Sequence, residues 1–174
     1  PYYFNLAENY DATVHITSFS KRGVLFDNEF RYLGENSSSL YNFSLLESDD
    51  KFGKDRYLYS FKDRRNLIND FSLLESDSSG LSMNSEISYG RVSDLKYFDD
   101  FGNSLSTASQ SSVKRELRLY GEKISENGVT DFELSSLSYQ PAQSGVVNQY
   151  QTVPSFKLNY ASLPSSNSYQ YNFK

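Results

Sequence analysis

One histidine and the serines are the first candidates for chemistry in this 174-residue chain. His15 is the only histidine, so no second imidazole is present for a metal site or a catalytic triad. Asp11 shares its sequence parity, but four residues of a strand span about 13 Å, which is too far for direct pairing. None of the serines lies in a G-x-S-x-G context. We therefore expect no enzyme and no cofactor, and His15 is interpreted as a solvated polar residue.

An acidic segment is the second candidate. Asp94, Asp99 and Asp100 could supply oxygen ligands to a divalent cation. The segment lacks the regular spacing of an EF-hand loop, so a packed or solvated loop is the expected role, with no metal. Arginines could also contact lipid phosphates, although scattered arginines more often line a wet surface; they are Arg22, Arg31, Arg56, Arg64, Arg65 and Arg118.

The composition excludes several classes of protein. Hydrophobic residues make up only 37% of the chain, yet aromatic residues make up 16%, with 15 Tyr, 13 Phe and no Trp. The net charge of −5 argues against a nucleic-acid surface, and the absence of cysteine removes disulfides and thiolate metal sites from this segment. No apolar run reaches the roughly 18 residues of a transmembrane helix, whereas a transmembrane strand needs only about 9–11 alternating residues.

Alternation with a period of two dominates the sequence and predicts strands. In residues 9–20, Tyr10 and Val14 alternate with Asp11, Thr13 and His15, which predicts the first strand and a turn at residues 21–23. The pattern continues to the end, with a hairpin signal at Asn127-Gly128 and a longer irregular connection at about 91–110. The prediction is an all-β, antiparallel up-and-down meander of about ten strands. The later strands are predicted at about 24–33, 39–47, 56–62, 66–75, 81–90, 111–122, 128–139, 151–161 and from 168 onward.

The apolar parity favours a membrane barrel over a soluble core. It is rich in Tyr and Phe rather than Val, Ile and Leu, and aromatic girdles at the membrane interfaces have this composition. Backbone groups in lipid must pair internally, so such a sheet must close into a barrel. The opposite parity is then the lumen, and we expect these residues to face it: Thr13, His15, Asp27, Glu29 and Arg31. Another outer-membrane barrel, such as a porin or receptor, and a secreted carbohydrate-binding β-sandwich remain alternatives.

Five sequence blocks over residues 1–105 carry a family resemblance. PYYFNLAENYDAT, SKRG, EFRYL, KDRYLY and RVSDLKYFDDF occur in this order and resemble the LptD family, the lipopolysaccharide-assembly proteins of the Gram-negative outer membrane. The resemblance implies that residues 1–174 are the opening strands of a large transmembrane β-barrel. We expect them to be a partial barrel domain cut from a longer chain that also has a periplasmic domain.

The resemblance also implies a function and partners. Family members take lipopolysaccharide from a periplasmic bridge of LptA-like domains and insert it into the outer leaflet of the cell outer membrane. An LptE-like lipoprotein plugs the lumen, and the lipid leaves through a lateral seam between the first and last strands.

Pro1 matches the seam proline of the family. A proline lacks the N–H that would complete a ladder bond, which weakens closure. Glu8 and Ile16 stand where the family commonly has further prolines, so this seam departs from the pattern. If the chain enters from the periplasm, residues 21–23 are expected at the cell surface. The residues predicted to form the seam are Pro1, Asn9, Tyr10 and Asp11.

Overall fold

The computed structural model describes residues 1–68, 80–102, 111–146 and 151–162, which form one antiparallel sheet. Its nine strands lie side by side in sequence order, so the predicted up-and-down meander is confirmed. The predicted strand from 168 onward, and most of the one at 66–75, fall outside the described residues. The strands are β1 (Tyr2–Ala7), β2 (Tyr10–Phe19), β3 (Gly23–Leu33), β4 (Ser37–Asp49), β5 (Lys54–Asn66), β6 (Leu81–Val92), β7 (Ser112–Ser125), β8 (Gly128–Pro141) and β9 (Thr152–Ser162).

The first hairpin differs from the prediction. Residues 9–20 are not the first strand, because β1 precedes them and turns into β2 through Glu8 and Asn9. Three consecutive aromatic residues at the start of β1 conceal its alternation, and the turn contains no glycine. The extra strand reverses the expected position of residues 21–23. They lie at the same end of the sheet as Pro1, so a chain entering from the periplasm would return them to that side.

Strand register separates two faces of opposite character. Phe30 lies opposite Tyr41, and Tyr41 opposite Phe61, with the last two rings stacked at 4.6 Å. One residue along, Glu29 lies opposite Asn42 and therefore points to the other side. We call these the aromatic face and the polar face.

No second layer of the described chain covers the aromatic face. Phe26 and Phe43 are each 45% exposed, and Phe156 is 65% exposed. In a β-sandwich these rings would fill the space between two sheets. The uncovered aromatic face therefore agrees with a barrel segment and not with a sandwich.

The small buried core lies on the polar face, at the end of the sheet where β2 turns into β3. A short helix, α1 (Tyr97–Phe101), packs its three aromatic residues there against Leu25 and Leu46. The helix belongs to the connection between β6 and β7, which the sequence had placed in an irregular stretch. No helix among the described residues is long and apolar enough to cross a membrane.

Side chains complete the hydrogen bonding where β6 leaves β7. The register between these strands ends at Ser88, so the last residues of β6 pair with β5 but have no backbone partner on the β7 side. At Val92 the Gln140 side-chain amide takes the place of a β7 backbone partner. It accepts a hydrogen bond from the Val92 N–H at 3.3 Å and donates one to the Val92 carbonyl at 2.8 Å. The Arg115 guanidinium donates to the Gly90 carbonyl at 2.9 Å. Side chains therefore take the place of β7 at three backbone groups of β6.

Gly90→Ala tests this junction. A Cβ on Gly90 would overlap the Val113 side chain, which fills the space beside that glycine. We expect the substitution to destabilise the folded protein by about 1–3 kcal/mol, the usual cost of overpacking. Urea unfolding of the reconstituted full-length protein measures it. Adding Val113→Ala should recover part of the loss; a purely additive double variant would contradict the overlap.

Candidate functional site

The polar face contains an open groove. Its volume is about 800 Å³, and its lining residues come from strands β1 to β7 and the turn between β1 and β2. Charged side chains line it from both sides: Asp11 and Arg31 on the early strands, and Lys62, Arg64, Glu86 and Glu116 on the later ones. A groove with this lining holds water or a polar molecule rather than an apolar ligand.

The residues predicted to face a lumen all lie on the polar face. Thr13 lies opposite Glu29, and His15 lies opposite Asp27. Arg31 lies opposite Asp11 and forms a bidentate ion pair with it. Arg31 Nε donates to Asp11 Oδ1 at 2.8 Å, and Nη2 donates to Oδ2 at 2.9 Å. The sheet thus brings the five side chains to one surface, as the alternation predicts.

A row of alternating charges crosses the polar face from β5 to β9. Arg64 bonds to Glu86 at 3.1 Å, and Arg118 bonds to Glu133 at 2.8 Å. Glu86 lies opposite Arg118 in register, so the pairs join into one row that ends at Lys157. These exposed pairs contribute little stability individually. We call this row the charge ladder; its members are Arg64, Glu86, Arg118, Glu133 and Lys157.

A β-bulge brings a carboxylate into the α1 end of the polar face. The register between β4 and β5 shifts between Leu46 and Asp49, and Ser48 adopts a left-handed conformation with φ of 49°. The extra residue turns Asp49 onto the polar face, where it is fully buried. Its Oδ2 accepts bonds from Arg22 at 2.8 Å and Arg56 at 3.3 Å.

Arg56 is the centre of this end of the sheet and is fully buried. Its guanidinium donates two bonds to Asp94, both at 2.9 Å, and one to Asp100 at 2.5 Å. Arg22 also reaches Asp100, at 2.7 Å. The five charges form a closed network that joins β4, β5 and α1. We call it the arginine–aspartate cluster; its members are Arg22, Asp49, Arg56, Asp94 and Asp100.

Aromatic rings enclose the cluster. The Arg56 guanidinium lies 4.5 Å from the centre of the Phe52 ring and 4.6 Å from that of Phe101. These rings exclude water and add cation–π attraction. Burial raises the pKa of the nearby Tyr97 hydroxyl to about 12, so this phenol stays protonated at neutral pH.

The acidic segment is therefore a packed element of the fold. Asp94 and Asp100, two of the three carboxylates first considered as ligands, are occupied by arginines. Asp99 is exposed and accepts a bond from Gln143 at 3.3 Å. Within the described ranges, no group of three or more His, Cys, Asp or Glu side chains is placed to hold a metal ion.

Acid should release α1 from the sheet. Burial opposes ionisation of Asp94, but bonds from Arg56, Ser93 and the Lys96 N–H outweigh it, so the pKa of Asp94 lies below its usual value of 3.8. Its stabilising contribution is complete above pH 3.8 and is lost as the pH falls through the lower folded pKa. We expect pepsin, which works in acid, to cut within α1 only in that range. Asp94→Asn should be cut at higher pH; an unchanged pH profile would contradict the assignment.

Comparison with known proteins identifies the family. The LptD family model, described as LPS transport system D, matches residues 54–174. The chain belongs to the LptD family. It is 33% identical over 163 residues to the LPS-assembly protein LptD of Nitrosospira multiformis, covering 91% of this chain and 16% of that protein. It is 34% identical over 161 residues to LptD of Pseudomonas aeruginosa strain UCBPP-PA14, covering 88% of this chain and 16% of that protein.

The LptD match covers part of the groove and most of the arginine–aspartate cluster. Residues 54–174 contain Arg56, Asp94 and Asp100, together with α1 and the charge ladder. The chain spans about a sixth of the length of these two LptD relatives. Its structural features therefore correspond to one segment of these relatives.

The residues predicted to form the LptD seam lie on β1, β2 and their turn. Pro1 precedes β1 and is exposed, whereas Asn9 lies at the opposite end of that strand, where its carbonyl accepts the Leu33 N–H at 2.8 Å. Tyr10 and Asp11 begin β2 and point to opposite faces. The structure thus does not gather these four residues into one place.

β1 covers only part of its neighbour. Its register with β2 begins at Tyr2 opposite Val14, so residues 15–19 of β2 have no partner on that side among the described residues. The register is further interrupted between Asn5 and Ala7. The ladder between β1 and β2 is therefore short and interrupted, so β1 is held to the described sheet by few backbone pairs.

Proposed function

We propose that this chain is the opening section of an outer-membrane β-barrel that passes lipopolysaccharide from the periplasm to the outer leaflet. One observation carries the proposal: a chain of the LptD family forms a meander with one uncovered aromatic face and one charged, grooved face. The aromatic face suits hydrocarbon and its interfaces, and the polar face suits a hydrated passage for sugars and phosphates. The relatives carry the name LPS-assembly protein, which supports this cargo.

The lateral seam lies, in this proposal, at β1 rather than along residues 9–20. The shortness of β1 supports this location, because a strand of 6 residues can offer the last strand only a short ladder, which costs less to open. Pro1 adds a position without an N–H donor just before the strand. An LptE-like lipoprotein would occupy the lumen against the polar face, and LptA-like domains would deliver the lipid.

Depletion of the full-length protein tests the function itself. Newly made lipopolysaccharide should stop reaching the cell surface, as measured by surface labelling, while its synthesis continues. The porin alternative makes a different prediction: uptake of small solutes would fall and lipopolysaccharide display would remain normal.

Photo-crosslinking tests which face carries the lipid. Glu29 and Phe30 are adjacent on β3 and point to the polar and aromatic faces. A photoreactive amino acid at position 29 of the full-length protein should capture lipopolysaccharide in living cells, and the same residue at position 30 should not. Capture at position 30 alone would refute the passage along the polar face.

A further inference from the structure

Two arginines lie on the aromatic face near the end of the sheet that carries α1. Arg91 lies opposite Tyr59 in register and interacts with its hydroxyl. The Arg115 guanidinium lies 5.1 Å from the centre of the Tyr89 ring, and Tyr89 precedes Arg91 by two residues on the same face of β6. We call this group the arginine–tyrosine patch; its members are Tyr57, Tyr59, Tyr89, Arg91 and Arg115.

The three tyrosines of the patch form a continuous platform. The ring centres of Tyr57 and Tyr59 are 6.1 Å apart, with planes inclined by 15°. Tyr59 and Tyr89 are also 6.1 Å apart, inclined by 26°. Tyrosine rings with reachable hydroxyls are typical of the membrane–water boundary, where one end of the ring is apolar and the other wet.

The two patch arginines differ from the other six in the chain because neither has an acidic partner among the described residues. Each of the others forms an ion pair; these are Arg22, Arg31, Arg56, Arg64, Arg65 and Arg118. Neither Arg91 nor Arg115 lies within ion-pair distance of a carboxylate in the described residues. The nearest acidic positions along β5 on this face, Asp55 and Asp63, are each four residues from Tyr59, which is about 13 Å. The Asp63 carboxylate is already bonded to Ser39 and Arg65.

The free hydrogen-bond donors of the patch suit a phosphate. Arg115 uses its Nε on the Gly90 carbonyl and its Nη2 on the Gln140 Oε1, at 2.8 Å, so Nη1 is left for a ligand. Arg91 is exposed. A guanidinium binds phosphate oxygens through two parallel N–H bonds, and such bonds strengthen where water is partly excluded.

We propose that the arginine–tyrosine patch binds the phosphate of an anionic phospholipid at the membrane boundary. The inference rests on the proposed function, because it requires the aromatic face to meet lipid. Charge complementarity carries it: two guanidiniums without a carboxylate partner among the described residues stand beside a platform of three tyrosine rings. The lipid phosphate supplies the missing negative charge, and its acyl chains lie along the aromatic face.

Native mass spectrometry of the full-length protein with added phosphatidylglycerol tests the site. Arg91→Gln should weaken phosphatidylglycerol retention about tenfold, the effect of losing one charge-assisted contact. Arg64→Gln is the matched control, since it removes an arginine from the polar face of the neighbouring strand. It should leave retention unchanged. Equal retention by Arg91→Gln and the parent protein, or equal losses in both variants, would overturn the proposal.

Two further arms distinguish a bound phospholipid from a soluble anion and from lipopolysaccharide. Excess inorganic phosphate should not displace the phospholipid; full displacement would show a soluble-anion site instead and would overturn the proposal. Lipopolysaccharide display is measured in cells carrying Arg91→Gln and should persist. Capture of lipopolysaccharide at position 30 alone would refute the proposed function, whereas unchanged lipid retention with the expected crosslinks would refute this site alone.

Discussion

Arg56→Ala is expected to produce the largest loss of stability among single substitutions in this sheet. It leaves Asp49, Asp94 and Asp100 without their shared cation in a site closed by aromatic rings. Removing one partner of a buried ion pair costs about 3–5 kcal/mol, because the remaining charges stay desolvated. Urea unfolding of the reconstituted full-length protein measures the loss, and trypsin cleavage after Lys96 reports whether α1 has left the sheet.

Arg64→Ala is the matched control for Arg56→Ala. Arg64 lies eight residues further along β5 on the same face, and its side chain is 73% exposed. Its ion pair with Glu86 is screened by water, so its removal should have little effect. Similar losses in the two variants would contradict the central role of Arg56.

Phe43→Arg is expected to prevent stable insertion into the membrane. Phe43 lies at the middle of β4 on the aromatic face and is 45% exposed, so the new charge would enter hydrocarbon. An arginine on the lipid face of a transmembrane barrel costs about 2–4 kcal/mol at the bilayer midplane. The folded fraction in outer-membrane preparations, separated by heat-dependent gel mobility, measures the effect.

The neighbouring residue provides the control for Phe43→Arg. Asn42 points to the polar face, opposite Glu29 and Ser60. An arginine there would remain in water beside a carboxylate, so Asn42→Arg should insert normally. If Asn42→Arg failed and Phe43→Arg inserted, the assignment of the two faces would be reversed.

Alternation predicted the two faces of the sheet because successive side chains of a strand point to opposite sides, so the position of a residue in the strand decides its face. Thr13, His15, Asp27, Glu29 and Arg31 share one parity within two adjacent strands, and the structure places them on one face. The hairpin at Glu8 and Asn9 was missed because its turn lacks the Gly or Asn-Gly signal that marks residues 127 and 128. That missed strand reversed the expected side of the turns from residues 21–23 up to β5. Because β5 pairs directly with β6, the separate strand predicted at 66–75 cancels the error from β6 onward.

The arginine–aspartate cluster could not be derived from local pattern. Arg56 bonds to Asp94 and Asp100, which follow it by 38 and 44 positions in the sequence. Asp49 joins the cluster only because of the bulge at Ser48. The arginine–tyrosine patch had a visible signal that sequence reasoning overlooked. Arg91 shares the parity of Ile87 and Tyr89, so it stood on the apolar side of an alternating strand.

The charge ladder affects which register the strands adopt when they pair during folding. Sliding β7 by two residues along β6 would keep every side chain on its proper side, so hydrophobic patterning alone would not reject the error. That slip would, in one direction, set Glu86 against Glu116 instead of Arg118, and two adjacent anions would repel. Ion pairs that contribute little to the stability of the folded sheet thus disfavour the wrong register while the strands are pairing.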